Sequence, residues 1–240
     1  MLKRICAVPA LLLAVVAQPG QAQFTGGHAI TFVSGGSVTY GGLRVGTYSG
    51  KLDGAPISIW CTDFYNYAGN FTGFQTDLSD DTSLEKTRWG PLSSSLDRYR
   101  KMSVLTTLFT AGNEAEWGFI QYAIWSLAAI PVSPIPWLGP VTPGSPNDKI
   151  NGYLSWASSN YQNYNYDNVF VLTDRKVTEG YYAGQWSGCE GIQGQTACGK
   201  QEFLRGTPTV VPEPATMGLL ATGLLGLGLA SLRSRRRRNT

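Results

Sequence analysis

A cysteine sulfur can attack the side-chain carbon of a glutamine held against it. Ammonia leaves and an internal thioester remains, with no cofactor needed. In this chain of 240 residues the settings of Cys61 and Gln121 suit that reaction. Cys61 ends the apolar stretch APISIWC, beside Ile59 and Trp60. Gln121 lies in AEWGFIQYAIWSLA, four residues after Trp117 and four before Trp125, so a helix would set its carboxamide on the face carrying Trp117, Ile120, Ile124, Trp125 and Ala128. An amide buried without partners costs on the order of a few kcal/mol. Gln121 is therefore expected either to bond backbone or to be consumed in a covalent link. The alternative is that Cys61 is a small buried hydrophobe and Gln121 a satisfied core amide.

The elements that must position this pair begin after a leader. Lys3 and Arg4 precede an apolar stretch from Ile5 to Ala17, and Gly20-Gln21-Ala22 supplies small residues at the two positions a signal peptidase reads, so 1–22 is expected to be a secretory signal peptide. Cys6 leaves with it. Of the remaining cysteines, Cys189 and Cys198 are close enough in CEGIQGQTAC to close a glycine-rich loop as a disulfide in an oxidising compartment. Cys61 is then the odd one, which asks for burial, an intermolecular pairing or a chemical role.

The other end of the chain reads VPEP, with Pro212, Glu213 and Pro214, then the uncharged run ATMGLLATGLLGLGLASL, then Arg233 and Arg235 to Arg238. The run is about 18 residues, just long enough to cross a hydrocarbon core as a helix, and the arginines would hold its end on the cytoplasmic side. These three segments in this order resemble the PEP-CTERM sorting tail of Gram-negative bacteria. The resemblance implies an exosortase-type processing enzyme as partner, transient anchoring in the inner membrane, and delivery to the cell surface or extracellular matrix alongside exopolysaccharide. A plain single-pass anchor has the same span and charges.

Residues 23–210 are then the exported body, with 211–240 as the tail. Two of the 19 basic residues fall in the leader and five in the tail, whereas only Glu213 of the 16 acidic residues does, so the body is near −3. The basic balance belongs to the sorting segments, and nucleic acid is not an expected partner. Roughly 190 residues can bury a core as one domain or two small lobes, and a single domain is expected.

Within the body, AITFV, SVTYGGLRVGTYSG and APISIWCTDF alternate apolar and polar residues between glycines and read as strands. Helical spacing follows in SLDRYRKMSVLTTLF and again from Asn113 to Ala129, where Glu114 and Glu116 sit in the first turn. IPVSPIPWLGPVTPGSP breaks the pattern. A short helix over 148–157, the Tyr/Asn-rich SNYQNYNYDN, the strand NVFVLT and YYAGQW complete it. The fold class is α+β: an N-terminal β portion, a helical insertion, then C-terminal strands.

An aromatic residue before a strand cysteine, followed by Ile120-Gln121-Tyr122-Ala123-Ile124-Trp125, resembles the thioester domains of bacterial surface adhesins. That family has a hydrophobic-Gln-x-x-hydrophobic-Trp motif. The resemblance implies a cysteine on the β portion, a glutamine on the helical insertion, and covalent capture of an amine on a host or matrix molecule. Trp60, Tyr122 and Trp125 are expected to wall the bond from water. Asp63 is expected either to assist proton transfer or to bond a turn backbone.

His28, the one histidine, is formally available as a base for Cys61, but lies six residues from the expected new N-terminus. Asp77, Asp80, Asp81 and Glu85 lack the spacing of a calcium loop and suit a helix N-terminus. No zinc spacing, phosphate loop, GxSxG elbow or nucleotide fingerprint appears, so no metal, cofactor or enzymatic turnover is expected. A second reading of the body is a non-covalent polysaccharide- or matrix-binding protein stacking sugars on Trp137, Trp156 or Trp186. An exported hydrolase ranks last.

Overall fold

The computed structural model describes residues 25–64, 68–79, 84, 87–90, 94–128, 139–176, 199–211 and 222. Strands come first: β1 (Thr25–Ser34), β2 (Val38–Tyr40), β3 (Leu43–Val45), β4 (Tyr48–Leu52), β5 (Ala55–Cys61) and β6 (Phe71–Asp77). Two of the turns joining them are written in the sequence. Gly41 and Gly42 join β2 to β3 with φ 57° and 82°, and Asp53 and Gly54 join β4 to β5 with φ 50° and 87°. Left-handed backbone at both central residues matches the twist of a two-residue hairpin, hence Gly-Gly and Asp-Gly there. Asp53 also accepts hydrogen bonds from Ala29 N at 2.8 Å and from the His28 ring at 2.5 Å, tying this turn to β1.

Helices α1 (Ser95–Thr106), α2 (Trp117–Leu127) and α3 (Pro146–Asn160) follow, and then β7 (Tyr164–Asn165), β8 (Phe170–Asp174), β9 (Phe203–Arg205) and β10 (Thr209–Val210). The class is α+β, with helices inserted between an N-terminal and a C-terminal set of strands. Six strands close into an antiparallel barrel in the order β1-β4-β5-β9-β8-β6. β9 supplies the closing register, pairing Phe203 with both Cys61 and Leu172. β10 pairs with β7 outside the barrel.

Opposed residues in a ladder share a face, so Ile59, Cys61, Tyr48 and Phe203 point to one side of the sheet. That side is the interior. The Phe203 ring lies 6.2 Å from Phe32, 6.3 Å from Tyr48 and 6.4 Å from Phe71, centroid to centroid. Burying each such ring contributes roughly 1.5–3 kcal/mol. On the outer face Ser49, Lys51 and Ser58 are exposed, but Trp60, Val171, Thr173 and Leu204 are buried, so only part of the barrel wall meets water.

The sequence places a single apolar stripe on the helix that carries Gln121. The structure differs: every residue from Trp117 to Trp125 is buried. The β2–β3 hairpin covers what would have been the solvent face, with Tyr40 5.2 Å from Phe119 and 5.9 Å from Tyr122. Gly118 permits this approach, because a Cβ there would meet Tyr40 Cγ at 2.3 Å. Residues 114–116 form a 3-10 turn that leads into α2 instead of its first turn. α3 is longer than expected, starting at Pro146 behind a Ser145 N-cap whose side chain accepts from Asp148 N. Lys149 of α3 holds Glu116 at 2.6 Å, fixing α3 against the start of α2.

Candidate functional site

Cys61 is the last residue of β5, and α2 is packed so that Gln121 and Trp125 both reach it. The Gln121 side-chain Nε2 donates to the Cys61 backbone carbonyl at 2.8 Å, and the Trp125 indole Nε1 donates to Cys61 Sγ at 3.4 Å. A helical spacing of four residues brings the two donors to the same strand end. Cys61 and Gln121 are both fully buried. Among the described residues Gln121 Oε1 has no hydrogen-bond partner. An unpartnered buried carbonyl oxygen forfeits about 1–3 kcal/mol, so the carboxamide is only half satisfied.

The sulfur is held as a thiol. Its S–H donates to the Asp63 carbonyl at 3.0 Å, and Asp63 N approaches Sγ at 3.4 Å. Burial pushes the Cys61 thiol far above its ordinary range. The Asp63 charge adds to that, and the bond from Trp125 acts against it. Among the described residues Cys61 is a free cysteine.

Tyr122 and Trp125 stand edge to face at 5.0 Å beside the sulfur, and both are buried. Trp60 does not join them. Its register partner is Leu204 whereas that of Cys61 is Phe203, so the Trp60 ring lies on the opposite face of the sheet. Phe64 takes that place, 5.0 Å from Trp125 and 6.2 Å from Tyr122. Sequence reasoning missed Phe64 because it lies three residues beyond the strand, where alternation no longer predicts direction.

Asp63 contributes its backbone to the sulfur and its carboxylate to a buried ion pair, Arg88 Nε lying 3.0 Å from Oδ2. Its carbonyl also accepts from Gln201 Nε2 at 2.7 Å. Behind it is a buried acid that no sequence motif singles out. Glu202 is fully buried and accepts from Tyr99 Oη at 2.5 Å, Thr173 Oγ1 at 2.7 Å and Arg88 N at 2.8 Å. Burial raises its pKa, against the lowering effect of these bonds and of Arg88. A single Glu in KQEFL carries no pattern from which this could be read.

The remaining candidates separate from the site. His28 pairs with Asp53 at the β4–β5 turn. Cys61 is at the far end of β5, six residues and about 20 Å along the strand, so no Cys61/His28 pair forms. Asp77 accepts from Ser79 N at 2.8 Å, and Asp80, Asp81 and Glu85 lie outside the described residues. No group of His, Cys, Asp and Glu that could hold a metal occurs among the described residues. Trp156 packs half-buried against the core. Trp137 and Trp186 lie outside the described residues, as do Cys189, Cys198, the leader and the segment Pro212-Glu213-Pro214. Among the described residues no helix is long and apolar enough to cross a membrane. The apolar run of the tail, save Thr222, lies outside them.

Compared with family models, curated proteins and solved structures, the chain finds no match in any of the three.

Proposed function

We propose that the chain is an exported surface protein whose body captures an amine covalently through a thioester between Cys61 and Gln121. The observation that carries this reading is the 2.8 Å bond from Gln121 Nε2 to the carbonyl of Cys61, which joins an unpaired buried thiol to a half-satisfied buried carboxamide across 60 residues of chain. Bond formation balances without a redox partner. The Cys61 sulfur bonds to Gln121 Cδ, the Cδ–Nε2 bond breaks, and the thiol proton leaves with the nitrogen as ammonia. An arriving primary amine then attacks Cδ, forming an amide. The C–S bond breaks and Cys61 regains a proton.

The surroundings suit the opening step and the survival of the bond until an amine arrives. Trp125 Nε1 faces the sulfur, where negative charge develops as the thioester opens, and such a fixed donor in a dry site stabilises that charge. Phe64, Tyr122 and Trp125 limit water, which would otherwise hydrolyse the bond. The signal-like leader and the Pro212-Glu213-Pro214 tail support export and processing by an exosortase-type enzyme, with the inner membrane as a way station and the cell surface or matrix of a Gram-negative bacterium as destination.

The test is incubation of the exported body with methylamine, followed by peptide mapping. Gln121 is expected to carry the methylamide in wild type and to remain unmodified in Cys61→Ala. A folded wild type that takes up no methylamine at Gln121, with Cys61 still a thiol, contradicts the reading.

A further inference from the structure

A cleft of about 360 Å³ opens between the segment after α3 and the first part of α1. It stands apart from the Cys61 site and uses none of its residues. Its walls include Asp97, Arg100, Tyr161, Tyr164, Tyr166 and Asp167. The volume falls within the range of small-ligand sites, about 300–1,000 Å³.

The walls are held before any ligand arrives. Arg100 Nε and Nη2 donate to the Leu78 carbonyl at 3.1 and 3.0 Å, and Nη2 also reaches the Ser79 carbonyl at 3.1 Å. The same guanidinium lies over the Tyr166 ring, 4.9 Å from its centroid. The Tyr166 hydroxyl donates to the Tyr161 carbonyl. Lys101 Nζ sits 5.0 Å from the Tyr161 centroid. Asn165 and Asp167 bond each other twice, Nδ2 to Oδ2 at 3.0 Å and Asp167 N to Oδ1 at 2.8 Å. Tyr164 is fixed through its backbone, paired with Val210.

What is left unclaimed defines the ligand. Asp97 is half-buried at the cleft and takes no hydrogen bond or ion pair from the described residues, and Tyr164 offers a half-buried ring and a hydroxyl. Arg100 spends Nε and Nη2 on backbone carbonyls, and Asp97 and Asp167 offset its charge and that of Lys101 over Tyr161, so the cleft carries no net positive charge to draw a phosphate or carboxylate. The lining is too polar to suit a purely apolar guest. An uncharged ring with an apolar C–H face and several hydroxyls satisfies both features, since its hydroxyls donate to a carboxylate in charge-assisted bonds and its face covers a tyrosine.

We infer that the cleft lined by Asp97, Tyr164 and Asp167 binds a pyranose unit of a neutral polysaccharide. It lies beside Val211, the first residue of the expected tail, because β10 runs along Tyr164 and Val211 N donates to Asn163 O at 2.8 Å. A body held by its C-terminal tail would therefore present this cleft next to its own attachment.

Affinity electrophoresis of the purified body in native gels containing dextran, mannan, xylan or galactan tests this. Wild type is expected to be retarded in at least one gel, and Tyr164→Ala and Asp97→Asn to weaken that retardation at least tenfold with the melting temperature held. Should Tyr164→Ala fail to fold, Asp97→Asn, a half-exposed change of one atom, decides alone. Cys61→Ala should migrate as wild type, which separates this site from the thioester. The inference is overturned by migration unaffected by all four polymers, or by retardation that survives Asp97→Asn undiminished.

Discussion

The indole N–H of Trp125 donates to the sulfur of Cys61 over 3.4 Å, from a helix that also delivers Gln121 to the same strand end. This bond opposes the effect of burial on the thiol and faces the atom that must accept charge when a thioester opens. Replacing Trp125 by Phe keeps much of the ring volume and removes the donor. A hydrogen bond of about 1.5 kcal/mol lost from the charged leaving group predicts methylamine uptake slowed by roughly tenfold or more. Time courses of uptake in wild type and Trp125→Phe check this, and equal rates would remove Trp125 from the chemistry.

The contact between Gly118 and Tyr40 predicts a purely structural effect. With Tyr40 Cγ 2.3 Å from where a Cβ would stand, Gly118→Ala must push the β2–β3 hairpin away from α2. Overpacking of this kind costs about 1–3 kcal/mol. The variant should show a lowered denaturant midpoint in equilibrium unfolding, whereas Gly152→Ala, with nothing within 4 Å of its added carbon, should not.

Glu202 predicts a pH dependence. Burial holds its folded-state pKa above the ordinary glutamate value of about 4.3. Between that value and the raised one the folded state binds the proton that the unfolded state has released, so this group's contribution to stability falls as pH rises through the window. Glu202→Gln should flatten that slope. At neutral pH it should still destabilise by about 1–3 kcal/mol, because an amide N–H₂ would face donors from Tyr99, Thr173 or Arg88. Urea unfolding of both proteins from pH 4 to 7 measures slope and offset together.

Much of the arrangement around Cys61 was legible. The end of β5 follows from alternation in APISIWC, the Asp53-Gly54 turn from its dipeptide, and the shared face of Gln121 and Trp125 from their spacing of four. Barrel closure was not, because β9 is three residues long and its pairing with both β5 and β8 is set by distant segments. The all-round burial of α2 also escaped, since a stripe on a helix cannot show that a hairpin covers the opposite face. SNYQNYNYDN is legible only as a Tyr/Asn-rich segment, and the position of α1 makes its tyrosines one wall of a cleft.

Processing and oxidation are checked on material recovered from the cell surface. Terminal peptides should begin at Gln23 and stop near Pro212-Glu213-Pro214, and non-reducing maps should link Cys189 to Cys198. Retention of Arg235 to Arg238 in most molecules would leave a plain membrane anchor. A disulfide from Cys61 to either other cysteine would remove the thiol that the thioester needs.

Intact mass of the purified body, measured without added amine, tests the central claim most directly. Wild type should weigh one ammonia less than its sequence mass after allowance for its disulfide, and Cys61→Ala and Gln121→Ala should each weigh their full sequence mass. A wild type at full mass, whose Cys61 is alkylated as a free thiol on mild unfolding, would contradict the account.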